Sequence, residues 1–229
     1  MIPKKIFFTC IFDKNLPEYA LKNIKSWEDL MPDYHFNVVT NADEIFSGLP
    51  QSWAEKFHSS KCKGAKSDIA RYALIYKNGG YYIDLDIIPK KTFEAEINAN
   101  FEGIWATILQ DAATKTVVPE PAFFGSYCGS DLLKELLDSI DIGILKKQKS
   151  CFESTGYYFL NNFFCNRFEK KFITPGEYKK ELLFLSPSII LAKTCLTVEE
   201  EIEKNLQNET CGIHIFKGSW WRKPGEPGY

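Results

Sequence analysis

Residues 65 to 89 read Ala65-Lys66-Ser67-Asp68-Ile69-Ala70-Arg71-Tyr72-Ala73-Leu74-Ile75-Tyr76-Lys77-Asn78-Gly79-Gly80-Tyr81-Tyr82-Ile83-Asp84-Leu85-Asp86-Ile87-Ile88-Pro89. The period changes in the middle. Up to Asn78 the apolar residues Ile69, Ala70, Ala73, Leu74 and Tyr76 recur at helical spacing, and Ser67 offers an N-cap hydroxyl. Asp68, Arg71, Tyr72 and Ile75 fall at i, i+3, i+4 and i+7 and share a second helix face. Gly79-Gly80 ends the helix, because glycine accepts the left-handed C-terminal position. The period then becomes two: Tyr81, Ile83, Leu85 and Ile87 point one way, Tyr82, Asp84 and Asp86 the other, and Pro89 closes the strand.

Outward from this segment the chain alternates. Residues 5–12 predict a buried first strand. Pro17 opens a helix with Ala20, Ile24, Trp27 and Met31 on one face, and Pro32-Asp33 ends it. Residues 35–39 predict a second strand and complete a β-α-β opening. Downstream, strands are expected at 104–109, 122–125, 182–185 and 212–216. Ser130 caps a helix with Leu132, Leu133, Leu136, Leu137 and Ile140 inside, and Thr197 caps an acidic, solvated one through Glu199, Glu200, Glu201 and Glu203. Residues 217–225 read as a loop. The expectation is a single α/β domain over 1–229, and a chain of this length buries roughly 70–75% of its unfolded surface.

Composition narrows the function. Apolar residues make up 45% and charged residues 25%, which excludes disorder as the main state. The net charge of -2 argues against a nucleic-acid binder acting through bulk charge, so an anionic ligand must be met by a local cation. No apolar run reaches the ~18 residues of a membrane span. Met1-Ile2-Pro3-Lys4-Lys5 leads into only a short apolar stretch without a cleavage signature, so no signal peptide is expected. The seven cysteines are odd in number, widely spaced and form no C-x-x-C, which predicts reduced thiols in a cytoplasmic protein rather than zinc ligands or disulfides.

The aspartates carry the chemistry. Two carboxylates on one face of an apolar strand are costly without a partner. On an extended backbone they start ~6.6 Å apart, too far to chelate one ion tightly. That spacing suits a division of labour, one carboxylate on a divalent cation and the other on a sugar hydroxyl or a metal-bound water. Hard oxygen ligands suit Mn²⁺ or Mg²⁺, ions that readily share a diphosphate, and Arg71 can fork onto phosphate or carboxylate. The bland alternative sets Asp84 and Asp86 at an exposed strand end and Arg71 in an ordinary ion pair. The company of Ser67-Asp68, Arg71-Tyr72 and Gly79-Gly80 at these spacings favours the site.

The string S-D-x-x-R-Y-x-x-I-Y-x-x-G-G-x-Y-x-D-x-D resembles the signature of the DXD sugar transferases of glycosyltransferase family 32, which includes capsular-polysaccharide enzymes and fungal α-mannosyltransferases. The glucosyltransferase domains of large clostridial toxins carry a similar string. The likeness extends to Ile2-Pro3-Lys4, to Ser26-Trp27 with Pro32-Asp33-Tyr34, to Thr155-Gly156, and to His214 with Gly218-Ser219-Trp220. The resemblance implies a GT-A fold, a Rossmann-like mixed sheet flanked by helices. It divides the chain into a nucleotide-sugar and DXD half at 1–90, an acceptor half at 91–211 and a metal-ligand and lid segment at 212–229. It further implies a nucleotide-sugar donor, here expected to be a UDP-sugar, with a Mn²⁺ or Mg²⁺ ion and retention of anomeric configuration.

By position, the resemblance makes Asp86 and His214 metal ligands. Asp68, Arg71 and Asp84 become the catalytic group, with Asp68 and Arg71 gripping donor sugar and diphosphate and Asp84 touching ribose or sugar. Tyr82 lies by the nucleotide, Thr9 and Cys10 line the base pocket, and Ser219 and Trp220 close over the diphosphate. Cys10 stands where the family has Trp, which leaves Phe8 or Phe12 to stack on the base, and Thr155-Gly156-Tyr157 replaces T-G-P. Glu153 and Asp111 are expected on the surface, and no general base is assigned, since the leaving phosphate can take the acceptor proton.

The acceptor is expected to be a glycan or lipid-linked saccharide of surface polysaccharide, met in the cytoplasm or at the inner membrane face. The cluster Lys146-Lys147-Gln148-Lys149 is then the candidate peripheral membrane contact. Competing readings are a non-catalytic nucleotide-sugar or glycan binder, a toxin-like protein glycosyltransferase, and a dehalogenase-type phosphotransferase. The last has Thr or Val where this chain has Ile88.

Overall fold

In Ile6-Phe7-Phe8 neither side of the strand reaches water: exposures are 0, 6 and 0%. A strand apolar on both faces belongs inside a sheet covered on both sides, and this one does in the computed structural model. The structure describes residues 1–13, 15–97, 101–147, 150–179, 181–192 and 210–216.

The first half of the chain forms β1 (Lys5–Thr9), α1 (Glu18–Leu30), β2 (His35–Val39), α2 (Ala42–Phe46), α3 (Gln51–Ser59), α4 (Lys63–Asn78), β3 (Gly80–Ile83) and β4 (Ile87–Pro89). The second forms β5 (Gly103–Asp111), β6 (Thr116–Ser126), α5 (Asp131–Ser139), α6 (Ile142–Lys147), α7 (Tyr157–Phe168), β7 (Gly176–Tyr178), β8 (Leu182–Phe184), β9 (Ile190–Ala192) and β10 (Gly212–His214). Seven strands make a mixed sheet in the order β2-β1-β3-β6-β5-β8-β7, and β4-β10-β9 make a small second sheet. β2, β1 and β3 run parallel, and β6 is antiparallel to both β3 and β5.

Alternation sorts neighbours to opposite faces. Phe7, Tyr82, Phe124 and Trp105 join one core with α3, α4, α5 and α7. Ile6, Phe8, Tyr81, Ile83, Phe123 and Ile104 join another, beneath α1 and Phe93. Trp27, at 0% exposure, sits in that second core as the helix pattern predicts. Ser130 accepts from the Leu133 N–H as the α5 cap.

Local expectations change in four places. α4 begins at Lys63 with Cys62 before it, so Ser67 is not a cap; it lies in the second turn and its hydroxyl accepts from Arg71 Nη2 at 2.9 Å. β1 ends at Thr9 rather than residue 12, although Cys10 N–H still donates to Val39 O at 2.9 Å. The strand expected through Pro89 breaks after Ile83: the Asp84 N–H bonds Ala122 O at 2.8 Å, the Ile87 N–H closes a turn onto Asp84 O at 3.0 Å, and the chain leaves for the small sheet. The short strands expected at 104–109 and 122–125 are a long β5–β6 hairpin, and α7 and the helices α2, α3 and α6 join the expected set. The acidic stretch after Thr197 and residues 217–225 lie outside the described residues.

Candidate active site

The cleft opens at the C-terminal ends of the parallel strands β1 and β3. Thr9, Cys10, Asp68, Arg71, Tyr82, Asp84, Asp86 and His214 all line it; Ser219 and Trp220 lie outside the described residues.

A buried polar knot forms the floor. Tyr82, near the end of β3, accepts from Thr9 Oγ1 at 2.9 Å and donates to Asp84 Oδ1 at 2.7 Å. Arg71 reaches across from α4, with Nη1 3.3 Å from Asp84 Oδ2 and 3.0 Å from Pro121 O. Its guanidinium carbon stands 4.7 Å from the Tyr82 ring centroid. Burial disfavours the guanidinium charge, but Asp84, Tyr82 and Asp68 outweigh it and hold Arg71 protonated.

Asp68 is 4% exposed. It accepts from Thr155 Oγ1 at 2.8 Å and lies 3.6 Å from Arg71 Nη2. Burial pushes its carboxyl up to about 7, against the pull of Arg71 and Thr155. Thr155 O in turn accepts from Tyr72 OH at 2.8 Å, which ties the Thr155 loop to α4. Burial also raises Asp84, with Arg71 opposing.

At the rim, Asp84, Asp86 and His214 offer ligand atoms that all lie within 4.8 Å of one another. The turn after Ile83 is what makes this so; the extended backbone expected here would hold the two carboxylates apart. Asn23 of α1 donates to Leu85 O at 2.9 Å and pins the turn. The antiparallel register of β10 on β4 sets His214 opposite Ile87, and the Ile215 N–H bonds Asp86 O at 3.2 Å. His214 Nε2 is therefore 3.2 Å from Asp86 Oδ1, while Nδ1 meets Glu120 Oε1 at 2.5 Å. Burial pushes the imidazole pKa down, but the Glu120 and Asp86 carboxylates outweigh burial and hold it well above its usual range.

Two carboxylates and an imidazole nitrogen are a hard, mostly oxygen donor set that fits Mn²⁺ or Mg²⁺. The charge around them fits as well: Asp13, Asp68, Asp84, Asp86 and Glu120 line the cleft against Lys63 and Arg71.

Spacing alone does not reveal Glu120. It is 1% exposed on β6, and its only sequence signal is a lone acid between Pro119 and Pro121 in an apolar run. Of the two aromatics expected to face the base, Phe8 is fully buried in the core and is excluded. Phe12 is 38% exposed, lines the cleft and lies 5.8 Å beneath Lys63 Nζ. Asp111 and Glu153 are exposed and outside the cleft lining.

Residues 17–102 match the family model described as the glycosyltransferase sugar-binding region containing a DXD motif. The initiation-specific alpha-1,6-mannosyltransferase of Candida albicans is 30% identical over 105 residues, 42% of this chain and 27% of that protein, so the match spans about a quarter of the curated relative's length. Among solved structures, the PaToxG glycosyltransferase superposes with a TM-score of 0.56 at 16% identity, over 73% of this chain and 70% of that one. The catalytic domain of alpha-toxin from Clostridium novyi gives 0.50 at 10% identity, over 98% and 81%. At such identities the structural likeness speaks for the fold alone. Residues 17–102 are thus similar to the DXD-containing sugar-binding region of glycosyltransferases, and the mixed sheet around them has the GT-A-type fold.

Proposed function

We propose that this chain is a metal-dependent, retaining hexosyltransferase that moves a sugar from a nucleotide-sugar, a UDP-hexose first, to a glycan or lipid-linked saccharide in surface polysaccharide synthesis. The observation that carries the reading is the convergence of Asp84, Asp86 and His214 on one point above the buried Arg71–Asp68 floor. The similarity to an alpha-1,6-mannosyltransferase keeps GDP-mannose as the second donor to test. Composition, with thiols in unpaired spacing, supports a cytoplasmic setting.

Asp86 and His214 would hold Mn²⁺ or Mg²⁺, with Asp84 the third arm braced by Tyr82 and Arg71. When bound, the ion supplies positive charge to the diphosphate leaving group. Both terminal nitrogens of Arg71 are engaged by Asp84, Pro121 O and Ser67, so its first task is to fix Asp84. Asp68, held by Thr155, stands ready to accept from a donor-sugar hydroxyl. Phe12 offers its face to the base in place of the family's Trp. The protein thus contributes positioning and preorganised charge rather than a proton acceptor for the acceptor hydroxyl.

The test is nucleoside diphosphate release from a panel of UDP- and GDP-sugars with Mn²⁺. Asp86→Ala should lower turnover at least 100-fold with the circular dichroism spectrum unchanged, and EDTA should do the same to the native protein. Asp86→Ala turning over normally in EDTA would sink the metal reading. Phe12→Ala should raise the donor KM about tenfold with little change in kcat, in line with ~1–3 kcal/mol for a stacked base.

A further inference from the structure

The Glu120 carboxylate is nearly inaccessible, and while Oε1 engages His214 Nδ1, Oε2 has no partner among the described residues. An ionisable group half-satisfied in the interior is not a packing choice. Its position is built by the sheet. Trp105 pairs with Phe124 but Thr107 with Pro119, so β6 carries extra residues against β5 where Glu120 lies. A bulge of this kind re-aims a side chain, and here the bulged strand lines the cleft. Prolines at 119 and 121 lack the N–H groups a regular ladder would need.

An imidazole binds a cation through one nitrogen only, and the partner of the other nitrogen decides which. Nδ1 of His214 faces Glu120, and Nε2 faces Asp86. Phe216 stacks on the ring with centroids 3.8 Å apart, so the imidazole is held by its face as well as its edge. We propose that Glu120 is the positioning residue of the cation site: it takes the hydrogen bond of His214 Nδ1–H, so that an arriving cation displaces the Nε2 proton to solvent and meets the Nε2 lone pair beside Asp84 and Asp86, and His214 is fixed as a ligand. The inference rests on the metal reading above. It adds that one short piece of β6 sets both arms of the site, because Pro121 O receives Arg71, which holds Asp84, while Glu120 holds His214.

The test is Mn²⁺ affinity of the whole chain without donor, by electron paramagnetic resonance, for Glu120→Ala, Glu120→Gln, His214→Ala and Asp86→Ala. Glu120→Ala should bind 10–100-fold more weakly. Glu120→Gln keeps a carbonyl oxygen for Nδ1–H and should recover part of that loss, which a merely structural role would not produce. With Mg²⁺ bound, long-range ¹⁵N–¹H spectra should show the His214 proton on Nδ1. Native affinity in both Glu120 variants, with affinity lost in His214→Ala and Asp86→Ala, overturns the role of Glu120 and leaves the metal site standing. Native affinity in all four overturns the metal site itself. If Glu120→Ala does not fold, the Gln variant and the native ring spectrum with Mg²⁺ bound decide, and a proton remaining on Nε2 in that spectrum is fatal.

Discussion

Asp68 shows at one residue how the cleft trades stability for chemistry. Its carboxyl is buried, bonded by Thr155 and only loosely met by Arg71 at 3.6 Å. Burial therefore dominates and the group titrates at about 7 in the fold, against ~3.9 in an unfolded chain. An acid raised on folding supports the folded state fully below its unfolded value and loses that support as pH climbs through the folded one. The window here runs from about pH 4 to about pH 7. Asp68→Asn should therefore match the native protein in urea unfolding below about pH 4 and exceed it at pH 8, by on the order of 4 kcal/mol, while donor turnover falls. An Asn variant less stable at pH 8 would mean that the ionised pair with Arg71 is favourable after all. The sequence was legible at this scale where spacing carried information, for Asp68, Arg71, Asp84 and Asp86, and the resemblance added His214; all five line one cleft. Glu120 was not legible, because a bulge against another strand aims it and no local period records a bulge.

The link from α4 to β3 is the element on which the floor of the cleft depends. Gly79 and Gly80 hold φ of 63° and 107°. A Cβ on Gly80 would stand 2.6 Å from Lys5 O, in the strand that β3 pairs with. Gly80→Ala combines a left-handed penalty of about 1–2 kcal/mol with displacement of β1 backbone. It should cost roughly 2–4 kcal/mol in urea unfolding and weaken donor binding, since Tyr82 lies in the same strand and Asp84 directly follows it. A loss under about 1 kcal/mol would show that β3 shifts freely. The β-α-β opening, α4 and the Ser130 cap were readable because amphipathic period and punctuation agreed there. α7 was not, because its aromatics and asparagines, Tyr157-Tyr158-Phe159-Leu160-Asn161-Asn162-Phe163-Phe164, define no single apolar face. The DXD turn was misread as strand because alternation continues across Asp84-Leu85-Asp86 while tertiary bonds from Asn23 and to Ala122 bend the chain.

Across the whole molecule, the proposed cation site spans the contact between two sheets. Asp84 leaves the main sheet, Asp86 lies in the connecting turn, and His214 ends a strand of the small one. Strands of three residues hold little on their own, so β4, β9 and β10 depend on their buried Ile87, Ile190 and Ile213, on Cys211 just before β10, and on what bridges the rim. Three carboxylates crowd one imidazole there, and net charge of -2 gives the molecule no long-range pull on an anionic donor. A divalent ion with nucleoside diphosphate should therefore act as a clasp between the sheets. At a hundred times Kd the two ligands add about 2.7 kcal/mol, which for a domain of this size raises Tm by roughly 5–10 °C. Hydrogen exchange should then slow most at the amides of residues 212–215, above all Ile215, whose N–H bonds Asp86 O, and little in β2 at the far edge of the main sheet. Asp86→Ala should abolish both the Tm rise and the local protection. A Tm rise that survives in that variant, or protection spread evenly over both sheets, would mean that ligand binds without bridging them.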